Sequence, residues 1–207
     1  MVGMQYSKDP NALREFIGDI AKQLFTHFGF KKTSMDDVAR KAQVAKGTIY
    51  NYFKNKDDLI RYVMRKEGET LISKIKEGIL NQETPQLKFR EMIIIKINFF
   101  KKELRLLFSA THKTTVEFLP VALEIFSVVE ADVKEACRLE LDIIEGILEE
   151  GVNGSLLRPI DIPATAKVLM HAIKGFELRW GIEMDIEQAI AELDSFLDIM
   201  FKGLEVR

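Results

Sequence analysis

Hydrophobic positions recur every three or four residues along most of the chain, which is the spacing of amphipathic helices. Asp9 is a favoured residue for a helix N-cap, and Pro10 is favoured at the first helical position. Gly29 is typical of the position just after the end of a helix. The pattern predicts a first helix from about residue 10 to residue 28. Its apolar stripe is Leu13, Phe16, Ile17, Ile20, Ala21, Leu24, Phe25 and Phe28.

Two short helices joined by a tight turn are predicted next. Ser34, followed by Asp37 three residues later, approximates a capping box and opens the first of them. The second runs from about residue 45 to residue 53 and buries Ile49. Gln43 stands in the turn, where a left-handed backbone costs a residue other than glycine about 1 kcal/mol. Asn55 then caps a fourth helix.

The rest of the chain keeps the helical period with few breakers. Residues 86 to 101 are apolar on more than one face. Their β-branched residues alone would permit a strand, but the length of the segment and the helices predicted on both sides of it favour a buried central helix. A short segment from 103 to 110 leads into a long helix from about 119 to 150, and two last helices begin near Asp161 and Asp185. The predicted fold is all-α, with about nine helices: three in a head, residues 1–56, and six in a body, residues 57–207.

Charge divides the chain in the same way. Residues 1–66 hold 13 Lys and Arg against 7 Asp and Glu, whereas the remaining residues hold 17 against 25. A net charge of −2 therefore conceals a basic head on an acidic body. This asymmetry indicates a polyanion as the partner of the head, although a solvated basic surface has the same composition.

Other features narrow the class of protein. A single cysteine, Cys137, and three histidines exclude a disulfide framework and a Cys/His zinc cluster. The longest apolar run is too short to span a bilayer, and no basic-then-apolar leader opens the chain. The sequence has no glycine-rich phosphate loop, His-Glu-x-x-His motif or nucleophile elbow. We therefore expect a cytoplasmic protein that is not an enzyme and needs no metal or cofactor.

A short helix pair braced by a longer first helix is the arrangement that lays its second helix in the major groove of DNA. The segments TSMDDVARKA, residues 33–42, and VAKGTIYNYFKNK, residues 44–56, resemble the signature of the tetracycline-repressor (TetR) family of bacterial transcription regulators. The resemblance extends over about residues 10 to 64. Beyond it, only length, helicity and the layout of the last helices agree with the family.

The motif places its candidate DNA contacts on and around the second short helix. Gly47 lets the backbone approach DNA closely, and Thr48 offers a hydroxyl and a methyl group to a base edge or a phosphate. The resemblance implies that Tyr50 and Asn51 reach phosphates or bases, although histidine is commoner than asparagine at the latter position. The full predicted set is Thr33, Ser34, Lys46, Gly47, Thr48, Tyr50, Asn51, Tyr52, Lys54 and Lys56.

Several of these residues have a second interpretation. Tyr50 and Tyr52 are also suited to packing, and the remaining lysines and arginines of the head to a solvated surface. Thr33 and Ser34 are expected to donate to phosphate as well as to cap a helix, and Lys54 and Lys56 to clamp phosphates.

The resemblance implies further properties of the body. It implies a homodimer in which the last two helices pack against their symmetry mates, and the stripe Ile190, Leu193, Phe196, Leu197, Met200 and Phe201 fits that role, or burial within one chain. It also implies a cavity for a small effector. The residues proposed around this cavity are biased toward phenylalanine and isoleucine, which favours an apolar or acyl-like effector. The predicted lining is Phe99, Phe100, Leu104, Phe108, His112, Phe118, Phe126, His171, Phe176 and Trp180.

Together these observations predict a homodimeric repressor that binds a pseudo-palindromic operator in double-stranded DNA and is released by a small hydrophobic effector. The alternative is a helical dimer that binds ligands or proteins without operator specificity. Salt-dependent binding to DNA distinguishes the two.

Overall fold

Three helices form the head of the protein. The computed structural model describes residues 10–107 and 115–204. Helix α1 spans Pro10–Phe28, α2 Met35–Ala42 and α3 Lys46–Tyr52. These bounds confirm the predicted long first helix and the pair of short helices after it.

Five longer helices follow within the described residues: α4 Lys56–Ile79, α5 Pro85–Leu107, α6 Thr115–Asn153, α7 Ile162–Ile182 and α8 Ile186–Leu204. No sheet occurs in this part of the chain, and the all-α fold class is confirmed. Residues 103–107, predicted to begin a short helix of their own, continue α5 instead. None of the described helices combines the length and apolarity that crossing a bilayer requires.

Side-chain caps set the helix starts that the sequence marked. The Asn55 side chain accepts a hydrogen bond from the backbone N–H of Asp58 at 2.8 Å, and that of Asp161 accepts one from Ala164 at 3.0 Å. Each cap satisfies a backbone donor that has no partner inside its helix. The start of α8 is capped in the same way by Asp185.

The buried side chains form two hydrophobic clusters, one in the head and one in the body. The head cluster joins α1, α2 and α3 to the first half of α4, through Leu59, Ile60 and Val63. It also takes in Ile125 and Val129 of α6, which come from the body. Helix α4 continues into the second cluster through Ile72 and Ile75. The head therefore shares its core with two helices of the body.

The turn between α2 and α3 contains a strained residue. Gln43 has φ 57° and ψ 37°, the left-handed conformation that closes α2. Its N–H lies 3.3 Å from the carbonyl oxygen of Arg40. Glycine adopts this conformation without the steric cost that a side chain brings.

We expect Gln43→Gly to raise the free energy of unfolding by about 1 kcal/mol, because it removes the cost of a left-handed residue with a Cβ atom. Gln82→Gly is the matched control: Gln82 lies in the α4–α5 connection and has no positive φ. Urea denaturation of the three proteins checks the difference. Equal destabilisation by both substitutions would contradict the assignment of strain to Gln43.

Candidate DNA interface

The start of α2 is fixed by a capping box. The backbone N–H of Asp37 donates to Ser34 Oγ at 3.2 Å, while Ser34 N–H donates back to Asp37 Oδ2 at 3.0 Å. The hydrogen bonds from Ser34 also lower the pKa of Asp37. Ser34 is exposed and keeps its hydroxyl at the surface of the head. This arrangement confirms the predicted capping box.

Thr33 has a different environment from its neighbour. Only 3% of Thr33 is exposed, and its hydroxyl donates to the carbonyl oxygen of Gly29 at 3.0 Å. That hydrogen bond ties the beginning of α2 to the end of α1. In this arrangement the hydroxyl predicted to meet a phosphate is used inside the fold.

Helix α3 turns one side inward and the other toward solvent. Ile49 is fully buried in the head cluster, and Tyr52 is half-buried against the same cluster. Of the predicted contacts, Tyr50 is 44% exposed, and Lys46, Gly47 and Asn51 are exposed with it. Thr48 lies between the two sides and is half-buried. We call Lys46, Gly47, Tyr50 and Asn51 the α3 face.

Gly47 leaves open space on the α3 face. A Cβ atom added to Gly47 would have no heavy atom within 4 Å, apart from its chain neighbours and the helix backbone around it. Packing inside the protein therefore does not require glycine at this position. A surface that must approach another molecule closely gives a reason for the missing side chain.

Lys46 is held at the edge of the α3 face by an ion pair across the turn. Its Nζ lies 2.8 Å from Asp36 Oδ1 of α2, and both side chains are more than half exposed. The hydrogen bond to Asp36, together with the negative charge of that carboxylate, raises the pKa of Lys46. The pair orients the ammonium group between α2 and α3.

The two lysines after α3 differ in their contacts. Lys54 is exposed, and its backbone N–H donates to Asp58 Oδ2 at 3.0 Å. Lys56 is half-buried: its Nζ donates to the carbonyl oxygen of Phe30 at 3.0 Å and lies 4.3 Å from the centroid of the Phe30 ring. Lys54 is thus free to meet a phosphate in the manner predicted, whereas Lys56 joins α4 to the α1–α2 connection.

The predicted effector residues do not gather at one place in the described part of the chain. Phe99 and Phe100 are half-buried neighbours on α5, and Phe176 stacks on the buried Trp180 at 5.0 Å. Phe126 and His171 are exposed. The other predicted positions lie outside the described residues or have side chains there that are not described: Leu104, Phe108, His112 and Phe118.

One polar cluster in the body was not predicted. Lys96 of α5 is 1% exposed and pairs with Glu140 of α6 and Glu177 of α7. Burial disfavours its charge, but the two carboxylates outweigh burial and raise the pKa of Lys96. The sequence does contain a feature that indicates this cluster, because Lys96 is the one charged residue in the run MIIIKINFF, residues 92–100. No group of three potential metal ligands occurs among the described residues.

Comparisons with known proteins agree with this geometry. The family described as bacterial regulatory proteins, tetR family, matches residues 17–63. The HTH-type transcriptional regulator YhgD of Bacillus subtilis is 31% identical over 171 residues, which cover 81% of this chain and 83% of the relative. The fatty acid metabolism regulator protein of the same organism is 24% identical over 191 residues, 90% of this chain and 92% of that protein.

Solved structures share the fold across both parts of the chain. The fatty acid degradation regulator FadR from Bacillus halodurans superposes with a TM-score of 0.68 over 92% of this chain and 96% of that one, at 17% identity. A TetR-family regulator from Syntrophomonas wolfei gives a TM-score of 0.70 over 96% of this chain and 99% of that one, at 20% identity. The chain belongs to the tetR family of bacterial regulatory proteins and is a DNA-binding transcriptional regulator, not an enzyme.

The contacts of Lys56 predict a structural effect. We expect Lys56→Ala to lower the free energy of unfolding by about 1–2 kcal/mol, because it removes a charged hydrogen bond and a cation–π contact. Lys54→Ala is the control and is expected to change stability by less than about 0.5 kcal/mol, since its side chain is exposed. Urea denaturation measures both. Equal stability of the two variants would show that the Phe30 contact contributes nothing.

Proposed function

We propose that this family member is a cytoplasmic repressor that binds a pseudo-palindromic operator as a homodimer and leaves it when an apolar, acyl-like effector binds the body. The observation that carries the proposal is the α3 face. It combines a basic side chain, a glycine without a side chain and two hydrogen-bonding side chains on the exposed side of a helix that packs on a buried core. Such a helix suits the major groove, where base edges offer donors and acceptors.

The side chains of the α3 face have distinct proposed roles. Tyr50 and Asn51 supply hydroxyl and amide groups for a base edge or a phosphate oxygen, and Gly47 lets the backbone come close. Three exposed side chains on or beside this face are proposed to contact phosphates: Lys46, Lys54 and Ser34. Thr48 is half-buried and contributes through its outward edge.

Two outward strips on α7 and α8 support the dimer. Within the predicted stripe of α8, Leu193, Leu197 and Phe201 are buried in the core of their own chain and so are not available to a partner. The outward strips carry Val168, 67% exposed, and Ile199, 76% exposed, among small residues. Those small residues are Ala164 and Gly175 on α7, and Ala191 and Ser195 on α8.

A second copy of the chain is the proposed partner of these strips. Small residues let helices approach closely, and a two-fold axis would pair each strip with its equivalent. Between α7 and α8 lies a cleft of about 360 Å³ with Phe176, Trp180 and Phe196 in its walls. A two-fold dimer also presents two α3 helices to successive turns of one face of DNA.

The effector class rests on composition and on relatives. The body has an apolar core rich in isoleucine and leucine, and one relative is a fatty acid metabolism regulator. We propose a fatty-acyl compound as the effector. Its signal has a direct path to the head, because α6 places Ile125 and Val129 in the head cluster. In addition, Arg61 Nε of α4 donates to the carbonyl oxygen of Val128 in α6 at 2.7 Å.

Gly47→Ala tests the α3 face on an operator obtained by selection from random duplexes. We expect the variant to fold with unchanged or higher stability, by up to about 1 kcal/mol, since alanine favours helix and meets no neighbour. We expect its operator affinity to fall about tenfold, because the new methyl group separates helix and DNA. Fluorescence anisotropy measures the affinity.

Gly146→Ala is the matched control for that experiment. Gly146 lies on α6 and, like Gly47, has no neighbour within 4 Å of an added Cβ atom. It should gain similar stability and bind the operator as the unmodified protein does. Unchanged affinity of Gly47→Ala would contradict the proposed face. Binding that is weak, sequence-blind and insensitive to salt would favour the interaction-module alternative instead.

The double substitution Val168→Glu with Ile199→Glu tests the dimer. Four carboxylates would meet across the two-fold interface without partners, so we expect a monomer in light scattering and a loss of operator affinity of more than about tenfold. Leu80→Glu is the control, because Leu80 is also 76% exposed but ends α4 away from these strips. A double variant that stays dimeric would place the interface elsewhere.

A further inference from the structure

The buried cluster of Lys96, Glu140 and Glu177 joins three helices inside the body. Lys96 extends from α5 into the side of the core where α6 and α7 meet, and each of these helices supplies one carboxylate. The same three helices contribute apolar residues to the body cluster. They include Ile93 and Ile97 of α5, Ile143 and Ile144 of α6, and Ile173 and Trp180 of α7.

A buried ion cluster of this kind is weak evidence of a contribution to stability. Removing one ammonium and two carboxylates from water has a desolvation cost that their attraction recovers only with full hydrogen bonding. Apolar residues of similar size in such positions often make a protein equally or more stable. The other buried positions of this core show that apolar side chains pack well there. The charges therefore call for a functional explanation.

The two carboxylates are held unequally. Glu140 accepts a hydrogen bond from Lys96 and also lies 3.9 Å from the Nζ of Lys174. Glu177 pairs with Lys96 through its Oε1 atom, and no second cation pairs with it among the described residues. Its side chain is 10% exposed. Glu177 is thus the carboxylate whose replacement at Lys96 breaks the fewest contacts.

We infer that Lys96 anchors the carboxylate head group of an apolar effector, and that this head group takes the place of the Glu177 carboxylate. The inference rests on the proposed function. The exchange is balanced in charge, because one ammonium and two carboxylates remain in the core when Glu177 turns outward. Glu177 lies on α7, so its release would also remove an ion pair between α7 and α5.

Aromatic residues flank the anchor on both helices. Phe99 and Phe100 follow Lys96 by three and four residues on α5, which places them within one helical turn of it. Phe176 adjoins Glu177, and Trp180 follows it by one turn of α7. These are four of the residues predicted to line an effector site. An apolar tail attached to a head group at Lys96 would lie along the aromatic pair of α5 or along that of α7.

Trp180 provides the measurement. It is the single tryptophan of the chain, it is buried, and it lies one turn from Glu177. We would titrate the full-length protein with laurate, methyl laurate and lauroyl coenzyme A and follow tryptophan fluorescence. Laurate is expected to bind and the methyl ester to bind at least about tenfold more weakly, because the ester has no charge for Lys96. Binding of the coenzyme A thioester alone would overturn the carboxylate assignment.

Two variants give effects of opposite sign. Glu177→Gln removes the competing carboxylate and is expected to bind laurate several-fold more tightly. Lys96→Met is made together with Glu140→Gln and Glu177→Gln, so that no charge of the cluster is left unpaired in the core, and is expected to lose laurate binding by at least about tenfold. Unchanged or weaker laurate binding by Glu177→Gln would overturn the exchange.

Lys88→Met is the matched control. Lys88 also lies on α5 and pairs with Glu150 of α6, but that carboxylate is 64% exposed. Its loss should leave laurate binding unchanged. Operator binding without laurate is measured for every variant and tests the proposed function separately. Intact operator binding with no response to laurate would overturn the anchor and leave the repressor proposal standing.

Discussion

The structure depends on α4 packing into two hydrophobic cores at once. Leu59, Ile60 and Val63 belong to the head cluster, and Ile72 and Ile75 to the body cluster, on one uninterrupted helix. A helix resists bending because each turn is hydrogen-bonded to the next. Any shift of the body at the second half of α4 must therefore move the first half, or break contacts in the head core.

Helix α6 makes the same connection by a different path. Its N-terminal half enters the head cluster, and its C-terminal half supplies Ile144, Ile147 and Leu148 to the body cluster. The bond from Arg61 to Val128 joins α4 and α6 at the level of the head. The head is consequently held by two helices whose other ends lie in the body, so the orientation of α3 follows the packing of the body.

Local signals in the sequence predicted much of this fold. Gly29, Ser34 and Asn55 act within a few residues of themselves, so the helix boundaries they mark agree with the structure. The inward position of Ile49 followed from helical spacing in the same way. The contacts of Thr33 and Lys56 could not be predicted, because their partners are backbone carbonyl groups of Gly29 and Phe30 in a connection without a sequence signature. Periodicity likewise defines a stripe on α8 but does not say whether its own chain or a partner covers it.

Several local rules are broken where the head meets solvent. Gln43 adopts a left-handed backbone, the N-cap residue of α3, Ala45, makes no side-chain cap hydrogen bond, and Gly47 weakens a helix of only 7 residues. Each departure costs stability, which the buried contacts of Ile49 and Phe53 offset. A short, weakly capped helix that packs on the head cluster can present its outer side to DNA, and small changes in that cluster then alter the position of the helix.

An effector can exploit this coupling only by preferring the protein released from DNA. It must bind that arrangement about tenfold more tightly than the DNA-bound one for each tenfold loss of operator affinity. A molecule that exchanges with Glu177 would meet this condition if the arrangement without the Glu177–Lys96 pair is the one that releases DNA.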